Sequence, residues 1–113
     1  MNIDELQAGR ELNAMVAEKV MGYKMTEVAG TKYVDGFSVQ EPRPYSTDLM
    51  AAWEVVEKMQ DYQKPHQMGH PLHLKYHFWV EKWYASIGAS EALEDTVPLA
   101  ICRAALKAMG VNP

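Results

Sequence analysis

The sequence predicts an α+β fold in which three helices pack against a small antiparallel sheet, with a central hairpin near residues 72–88. Apolar residues recur at helical spacing in three segments, and they alternate with polar residues in a fourth. Glycine and proline residues separate these segments. A chain of 113 residues can bury one hydrophobic core without disulfides or metals, so we expect a single domain, residues 1–113.

The composition excludes several classes of protein. A formal net charge of −4 disfavours a protein that binds duplex nucleic acid, because such binding depends on Lys and Arg neutralising phosphates. The single Cys102 cannot form an intrachain disulfide, and the acidic N-terminal residues are atypical of a secretory signal. No stretch reaches the roughly 18 apolar residues that a membrane span needs. We therefore expect a cytoplasmic protein that does not cross a membrane.

The first helix is expected over residues 4–21. Gly9 weakens its first turns, and Gly22 is placed as a C-terminal stop. Its apolar residues predict one buried stripe, which consists of Leu6, Leu12, Met15, Val16 and Val20.

The second helix is expected to begin at residues 45–48, where a Ser46 or Thr47 hydroxyl caps it and Asp48 complements the helix dipole in the first turn. With Ser46 as the cap, Tyr45 and Met50 occupy the positions of a hydrophobic staple, and Pro65 ends the helix at the latest. The expected buried stripe consists of Leu49, Ala52, Trp53, Val56 and Met59.

The third helix is expected from Thr96 to Met109, with Pro98 in its first turn and Gly110 at its exit. Its core stripe is expected to consist of Ile101, Ala105, Leu106 and Met109. Alanines also stand at positions 100, 104, 105 and 108 of this helix. Helix propensity is the preferred explanation for them, and the close approach of another surface is the alternative.

Two segments predict strands. Residues 23–45 contain an Asp35-Gly36 pair between short β-prone pieces, which is typical of a hairpin, and a functional loop is the alternative that the sequence leaves open. From Leu72 onward the pattern has period two, and residues 83–87 follow as a second, antiparallel strand. The expected core-facing side chains are Leu72, Leu74, Tyr76, Phe78 and Val80.

Catalytic and metal sites are not expected. His66, His70, His73 and His77 have a spacing that would align metal ligands on a helix, but prolines and a strand pattern occupy this stretch. On a strand, the last two histidines lie about 13 Å apart, too far to share one metal ion. A site that combines His66 or His70 with one of the strand histidines is the alternative. Cys102 is expected on the inner side of the third helix, where a thiol is inert. No nucleotide-binding or hydrolase motif occurs, so we expect no enzyme and no cofactor.

Aromatic and basic residues form the candidate binding set. A nucleotide base would stack on Trp79, Trp83 or Tyr45, and its phosphates would contact Arg43, Lys75 or Arg103. The amino end of the second helix offers free amides for an anion. Ser46 and Thr47 stand there, and His77 shares a strand face with Lys75. The alternative for the tryptophans is a place in the core or in a subunit interface.

Three segments of the chain resemble one known family. Residues 15–22 (MVAEKVMG), 45–59 (YSTDLMAAWEVVEKM) and 96–109 (TVPLAICRAALKAM) are similar to the phage ABA sandwich domain family. The resemblance implies an α/β/α-type sandwich, with helices on either side of a sheet, and an origin in a bacteriophage or prophage. It implies no known activity and no catalytic residues. The histidine-rich stretch 66–77 is not part of the family pattern.

A phage origin implies a small accessory protein that acts by binding. The leading hypothesis is a non-enzymatic antagonist of host defence, such as a sponge for nucleotide signals. The alternative is a protein-binding module that modulates a host or phage protein, or a structural phage protein without a small-molecule ligand. We expect a homo-oligomer in the host cytoplasm, because a domain this small has little room for an enclosed pocket.

Overall fold

The structure, a computed structural model, describes residues 8–35, 40–66, 72–87 and 90–110, with the backbone alone described for residues 61–66. Its helices are α1 (Arg10–Lys19), α2 (Leu49–His66) and α3 (Val97–Ala108). One antiparallel sheet consists of β1 (Met25–Val28) and β2 (Thr31–Val34). A second antiparallel sheet consists, in spatial order, of β3 (His73–His77), β4 (Lys82–Ile87) and β5 (Ser90–Glu94). The α+β fold with three helices and a hairpin near residues 72–88 is confirmed.

Helix α3 lies at the centre of the fold. It packs on β4 and β5 on one side and contacts α2 and α1 elsewhere, and every residue from Ala100 to Leu106 is buried. Its predicted boundaries are confirmed: the Thr96 hydroxyl accepts a hydrogen bond from the Leu99 amide at 3.4 Å, and Pro98 lies in the first turn. The small alanine side chains let other elements of the same chain approach closely. They therefore serve packing as well as helix propensity.

Helix α1 begins at Arg10, directly after Gly9. Leu12, Val16 and Val20 of its predicted stripe are buried, whereas Leu6 lies outside the described residues. The late start agrees with the weakening expected from Gly9, whose φ of +150° is one that side-chain-bearing residues rarely adopt.

The buried face of α2 differs from the predicted one. Leu49 and Trp53 are 53% and 48% exposed, so their assignment to the core was wrong. The helix instead turns smaller side chains toward the core, where α2 packs against α3. The residues that form this face are Ala51, Ala52, Val55, Val56 and Met59.

The ends of α2 also differ from expectation. Asp48, rather than Ser46, caps the helix, since its Oδ1 accepts a hydrogen bond from the Met50 amide at 3.2 Å. Tyr45 is buried while Met50 is exposed, so they form no staple. The helix also continues past Pro65 and ends one residue later.

Residues 23–45 contain a hairpin, but its turn is not the predicted one. Strands β1 and β2 are joined at Ala29 and Gly30, whose φ angles of +52° and +81° suit a two-residue hairpin turn. Gly36 of the predicted turn lies outside the described residues. Val34 and Gln40, on either side of it, pair in an isolated antiparallel bridge.

The three-stranded sheet has two different faces. Trp83, Ala85 and Ile87 of β4 point to the same side as α3, as the burial of the last two shows. Leu74 and Tyr76 of β3 share this side by register, as predicted, but they are 39% and 44% exposed, so the core does not cover them. The strand nevertheless ends at His77, so the predicted strand positions of Phe78 and Val80 were wrong. Strand β5, with the sequence SEALE, was not predicted at all.

Candidate functional site

The nine candidate contact residues fall into three groups in the structure. Four precede α2, four belong to the β3–β4 hairpin, and one lies on α3. The first group consists of Arg43, Tyr45, Ser46 and Thr47, the second of Lys75, His77, Trp79 and Trp83, and the third of Arg103.

Two residues of the first group are interior. Tyr45 is 1% exposed, and burial raises the pKa of its hydroxyl. The buried Ser46 hydroxyl donates a hydrogen bond to Asn13 Oδ1 at 2.6 Å and accepts one from the Gly9 amide at 2.8 Å. The Ser46 side chain therefore joins the segment before α2 to the start of α1. Since both side chains are buried, this geometry does not support the expectation that they contact a ligand.

The other two residues of this group, Arg43 and Thr47, are exposed. An ion pair at 2.8 Å joins the Arg43 guanidinium to Glu54 on α2. The Asp48 carboxylate already caps α2 and places a negative charge at its amino end. An anionic ligand would meet that charge, so the helix end is a poor anion site.

Arg103 has a structural role in the core. Its guanidinium forms an ion pair with Glu94 of β5 at 2.6 Å, and both side chains are largely shielded from water. The pair ties α3 to the edge of the sheet. The geometry therefore does not support the expectation that Arg103 contacts phosphate.

The hairpin brings three candidates together. Lys75 and His77 lie on the sheet face that points away from α3, and Trp79 follows in the turn. Lys75 forms no ion pair with any residue that the structure describes. Trp83 points to the opposite face, where its ring contacts that of Tyr76 with centroids 5.2 Å apart.

We call this sheet face the open face, because much of it is exposed to solvent. The Tyr84 ring at its centre stacks on His77 at 5.4 Å. The Tyr84 hydroxyl donates a 2.5 Å hydrogen bond to Glu91, which raises the pKa of Tyr84. The open face consists of His73, Lys75 and His77 on β3, Lys82, Tyr84 and Ser86 on β4, and Glu91 and Leu93 on β5.

The turn between β3 and β4, residues 78–81, forms an exposed apolar tip, here called the hairpin tip. Phe78, Trp79 and Val80 are 77%, 93% and 50% exposed. The two aromatic rings meet edge to face with centroids 6.1 Å apart. Glu81 adopts a φ of +54°, in the left-handed region, and leads into β4. This tip was not predicted from the sequence, because the alternation of apolar and polar residues continues through it without a turn signal.

A separate groove of about 430 Å³ lies between α1 and the β1–β2 hairpin. Lys32 lies 3.5 Å from Glu18 across it. The Arg10 guanidinium lies 4.7 Å from the centre of the Tyr33 ring and forms an ion pair with Glu41. Both cations are thus already engaged, and no sequence motif pointed to this groove.

Metal-ligating and nucleophilic residues show no cluster in the described part of the chain, where no three His, Cys, Asp or Glu side chains converge. The His66 side chain and His70 lie outside the described residues. Cys102 is buried as predicted, and burial raises the pKa of its thiol. No helix over the described ranges has the length and apolarity to span a membrane.

Comparison with known proteins identifies the family. The family model for the phage ABA sandwich domain matches residues 14–106. The fold is similar to that of a phage protein from Bacillus cereus ATCC 14579, known from a 2.0 Å crystal structure, with a TM-score of 0.73 and 20% sequence identity. The alignment covers 96% of each chain. Among curated proteins, nothing matches. The chain thus belongs to the phage ABA sandwich family.

Proposed function

We propose that this member of the phage ABA sandwich family acts by binding, as an antagonist of host defence that sequesters a nucleotide signal in the host cytoplasm. The observation that supports it most directly is the hairpin, where the exposed Trp79 follows Lys75 and His77 within a few residues. An exposed indole offers a stacking surface to a base of any identity, and nearby cations offer contacts to phosphate.

The spacing of the two basic side chains suits a ligand with more than one anionic group. Lys75 and His77 point to the same face, about 7 Å apart at the ordinary rise of a strand. Lys75 lacks an ion pair within the described part of the protein, so its charge is available. A linear or cyclic dinucleotide, or a derivative of ADP-ribose, has the required combination of base and phosphates.

Isothermal titration calorimetry against a panel of these nucleotides tests the proposal. Replacing Trp79 with Ala is expected to weaken the binding of an active ligand by about 1–3 kcal/mol, the contribution of one stacked base. Trp53→Ala is the matched control, because Trp53 is an exposed tryptophan on α2, outside the hairpin. Lys75→Ala should weaken binding in a manner that depends on salt.

Two outcomes would contradict the proposal. One is the absence of heat with every nucleotide in the panel. The other is equal loss of affinity in Trp79→Ala and Trp53→Ala, which would remove the hairpin from the site.

The biological part of the proposal is tested in bacteria that carry a nucleotide-signalling defence system. There the wild-type protein should restore phage growth, and Trp79→Ala should not.

A protein-binding module is the second candidate, and the hairpin tip favours it. Phe78, Trp79 and Val80 present a continuous apolar surface, and exposed patches of this kind mark interaction sites. Aromatic side chains also carry much of the binding energy in protein interfaces. A protein complex held by this tip should survive about 0.5 M salt and nuclease, conditions that dissociate nucleic acid. Phe78→Ser should abolish it, whereas nucleotide binding through Lys75 would lose affinity in the same salt.

A further inference from the structure

We propose that the open face packs against the open face of a second copy of this chain, with a two-fold axis parallel to β4. The inference concerns the middle of the sheet, not the hairpin tip, and its observations are separate from those behind the nucleotide proposal. Because both proposals use Lys75 and His77, a nucleotide bound to these residues would compete with the dimer. Its basis is the distribution of charge across the three strands.

The register of the sheet arranges the open face in three rows. One row runs from His73 through Ser86 to Glu91. The next runs from Lys75 through Tyr84 to Leu93. The last pairs His77 with Lys82 on the neighbouring strand. Asp95, one residue beyond β5, completes it through an ion pair with Lys82 at 2.5 Å.

Each row therefore has a basic residue on β3, and the first and last rows end in an acidic residue at β5. A two-fold axis parallel to the strands exchanges the two edges of the face while keeping each row in place. It sets His73 opposite the partner's Glu91 and His77 opposite the partner's Asp95. In the middle row, the aliphatic stem of Lys75 covers the partner's Leu93. An axis along β4 also sets Lys82 opposite the partner's Lys82, but each of these lysines is already paired with the Asp95 of its own chain. Apart from Lys82, the face is complementary to itself in this orientation.

Other arrangements of two copies are disfavoured. A two-fold axis perpendicular to the strands sets β3 over the partner's β3, which places basic residues over basic residues. Antiparallel pairing of two β3 edges centred on Lys75 would put two like charges directly opposite each other. At the other edge, Lys107 of α3 already donates a hydrogen bond to the Glu91 carbonyl at 3.2 Å. The face, rather than either edge, is the surface left for a second copy.

The polar groups on the face retain capacity for a partner. Glu91 uses one carboxylate oxygen to accept from Tyr84, and its other oxygen has no hydrogen bond to any described residue. Asp95 likewise bonds Lys82 through one oxygen. Leu93, at the β5 end of the middle row, is an exposed apolar side chain with no charge beside it in its row. Burial against a second copy would remove this leucine from water.

The size of the face sets the strength of the expected dimer. Three strands and five residues span about 14 by 16 Å at ordinary strand spacing and rise. A face with these dimensions has an area well below the roughly 800 Å² that each partner contributes to a standard stable interface. We therefore expect a reversible dimer that dissociates on dilution rather than a permanent one.

Sedimentation equilibrium of the full chain, from about 10 µM to about 1 mM at low salt, tests the inference. The apparent mass of the wild type should rise with concentration from that of one chain toward that of two. Leu93→Arg, which sets a positive charge opposite the partner's Lys75, should remain a monomer at every concentration. Leu49→Arg is the matched control, because Leu49 is similarly exposed but lies on α2, and it should dimerise like the wild type. Circular dichroism checks that each variant is folded.

A charge exchange tests the orientation. Glu91→Lys should abolish the dimer, and adding His73→Glu in the same chain should restore it, because the pair is then reversed but still complementary. A wild type that stays monomeric at about 1 mM would overturn the inference. So would a dimer that persists in Leu93→Arg, or a double variant that fails to recover. Loss of the dimer in Trp79→Ala but not in Leu93→Arg would assign the contact to the hairpin tip and equally overturn it.

Discussion

Helix α3 and the β3–β4 hairpin are both rich in apolar and basic residues, yet they have opposite environments. The helix is buried on all sides from Ala100 to Leu106, and its one arginine in that span is paired with Glu94. The hairpin keeps Trp79 almost fully in solvent. Apolar composition alone therefore does not separate core from binding surface. We therefore expect stability to reside mainly in the helix, and the proposed function places recognition in the hairpin.

The largest effect that would test this division is expected at the buried ion pair. Glu94→Ala leaves the Arg103 charge in the core without its carboxylate, and breaking such a pair is expected to lower the free energy of unfolding by about 3–5 kcal/mol. Urea unfolding followed by circular dichroism measures the loss. The double variant Glu94→Leu, Arg103→Met removes both charges and should recover most of the stability. A loss below about 1 kcal/mol in the single variant would show that water solvates the arginine.

A smaller loss is expected from enlarging the alanine surface of α3. Ala104→Leu inserts extra volume where the helix is fully buried and should destabilise the protein by about 1–3 kcal/mol through overpacking. Ala108→Leu is the matched control, since Ala108 is the last residue of the helix and only partly buried. Equal unfolding midpoints for the two variants would contradict the close packing of α3.

Alkaline pH probes the same core without mutation. Burial raises the pKa of Cys102 above its ordinary value of 9.0 and that of Tyr45 above 10.0. The folded state favours the neutral form of both groups. Their contribution to the free energy of unfolding is therefore fully present below these ordinary pKa values and is lost as pH rises past them. Each group contributes a slope of about 1.4 kcal/mol per pH unit there. Urea unfolding between about pH 7 and pH 11 measures the decline.

The variant Cys102→Ala isolates the contribution of the thiol to this decline. Tyr84 and Lys82 titrate in the same direction, because hydrogen bonds to Glu91 and Asp95 raise their pKa values. The decline in Cys102→Ala should therefore begin about one pH unit later but not vanish. A wild-type thiol that reacts with a disulfide reagent at pH 8 as fast as in urea would refute its burial.

The sequence predicts helix α3 more completely than helix α2. Helix α3 carries its own boundary signals, with Thr96 as a cap and Pro98 in its first turn, and both are confirmed. Helix α2 lacks a comparable signal for its orientation. Leu49 and Trp53 fit a stripe at helical spacing as well as the observed face does, and the packing of α2 against α3 decides which face is buried. Such tertiary packing is not encoded in local periodicity.

Candidate residues stay together in the structure where they belong to one hairpin, although no observation tests their role in binding. Lys75, His77 and Trp79 lie close in sequence and remain close in the hairpin. Tyr45, Ser46 and Arg103 are instead buried in the core, where Ser46 bonds to Asn13 of α1 and Arg103 to Glu94 of a strand. The strand β5 completes the open face, but its sequence SEALE favours a helix by propensity, so sheet pairing overrides the local preference.

The smallest effect on stability, and the sharpest contrast with α3, is expected at the hairpin tip. Trp79→Ala removes a side chain that is 93% exposed, so it should change the free energy of unfolding by no more than about 0.5 kcal/mol. Nucleotide binding should nevertheless weaken by about 1–3 kcal/mol, the contribution of one stacked base, and calorimetry with parallel urea unfolding measures both effects. A loss of stability above about 1 kcal/mol would mean that the indole packs on the protein, and the separation between a stabilising helix and a recognising hairpin would then fail.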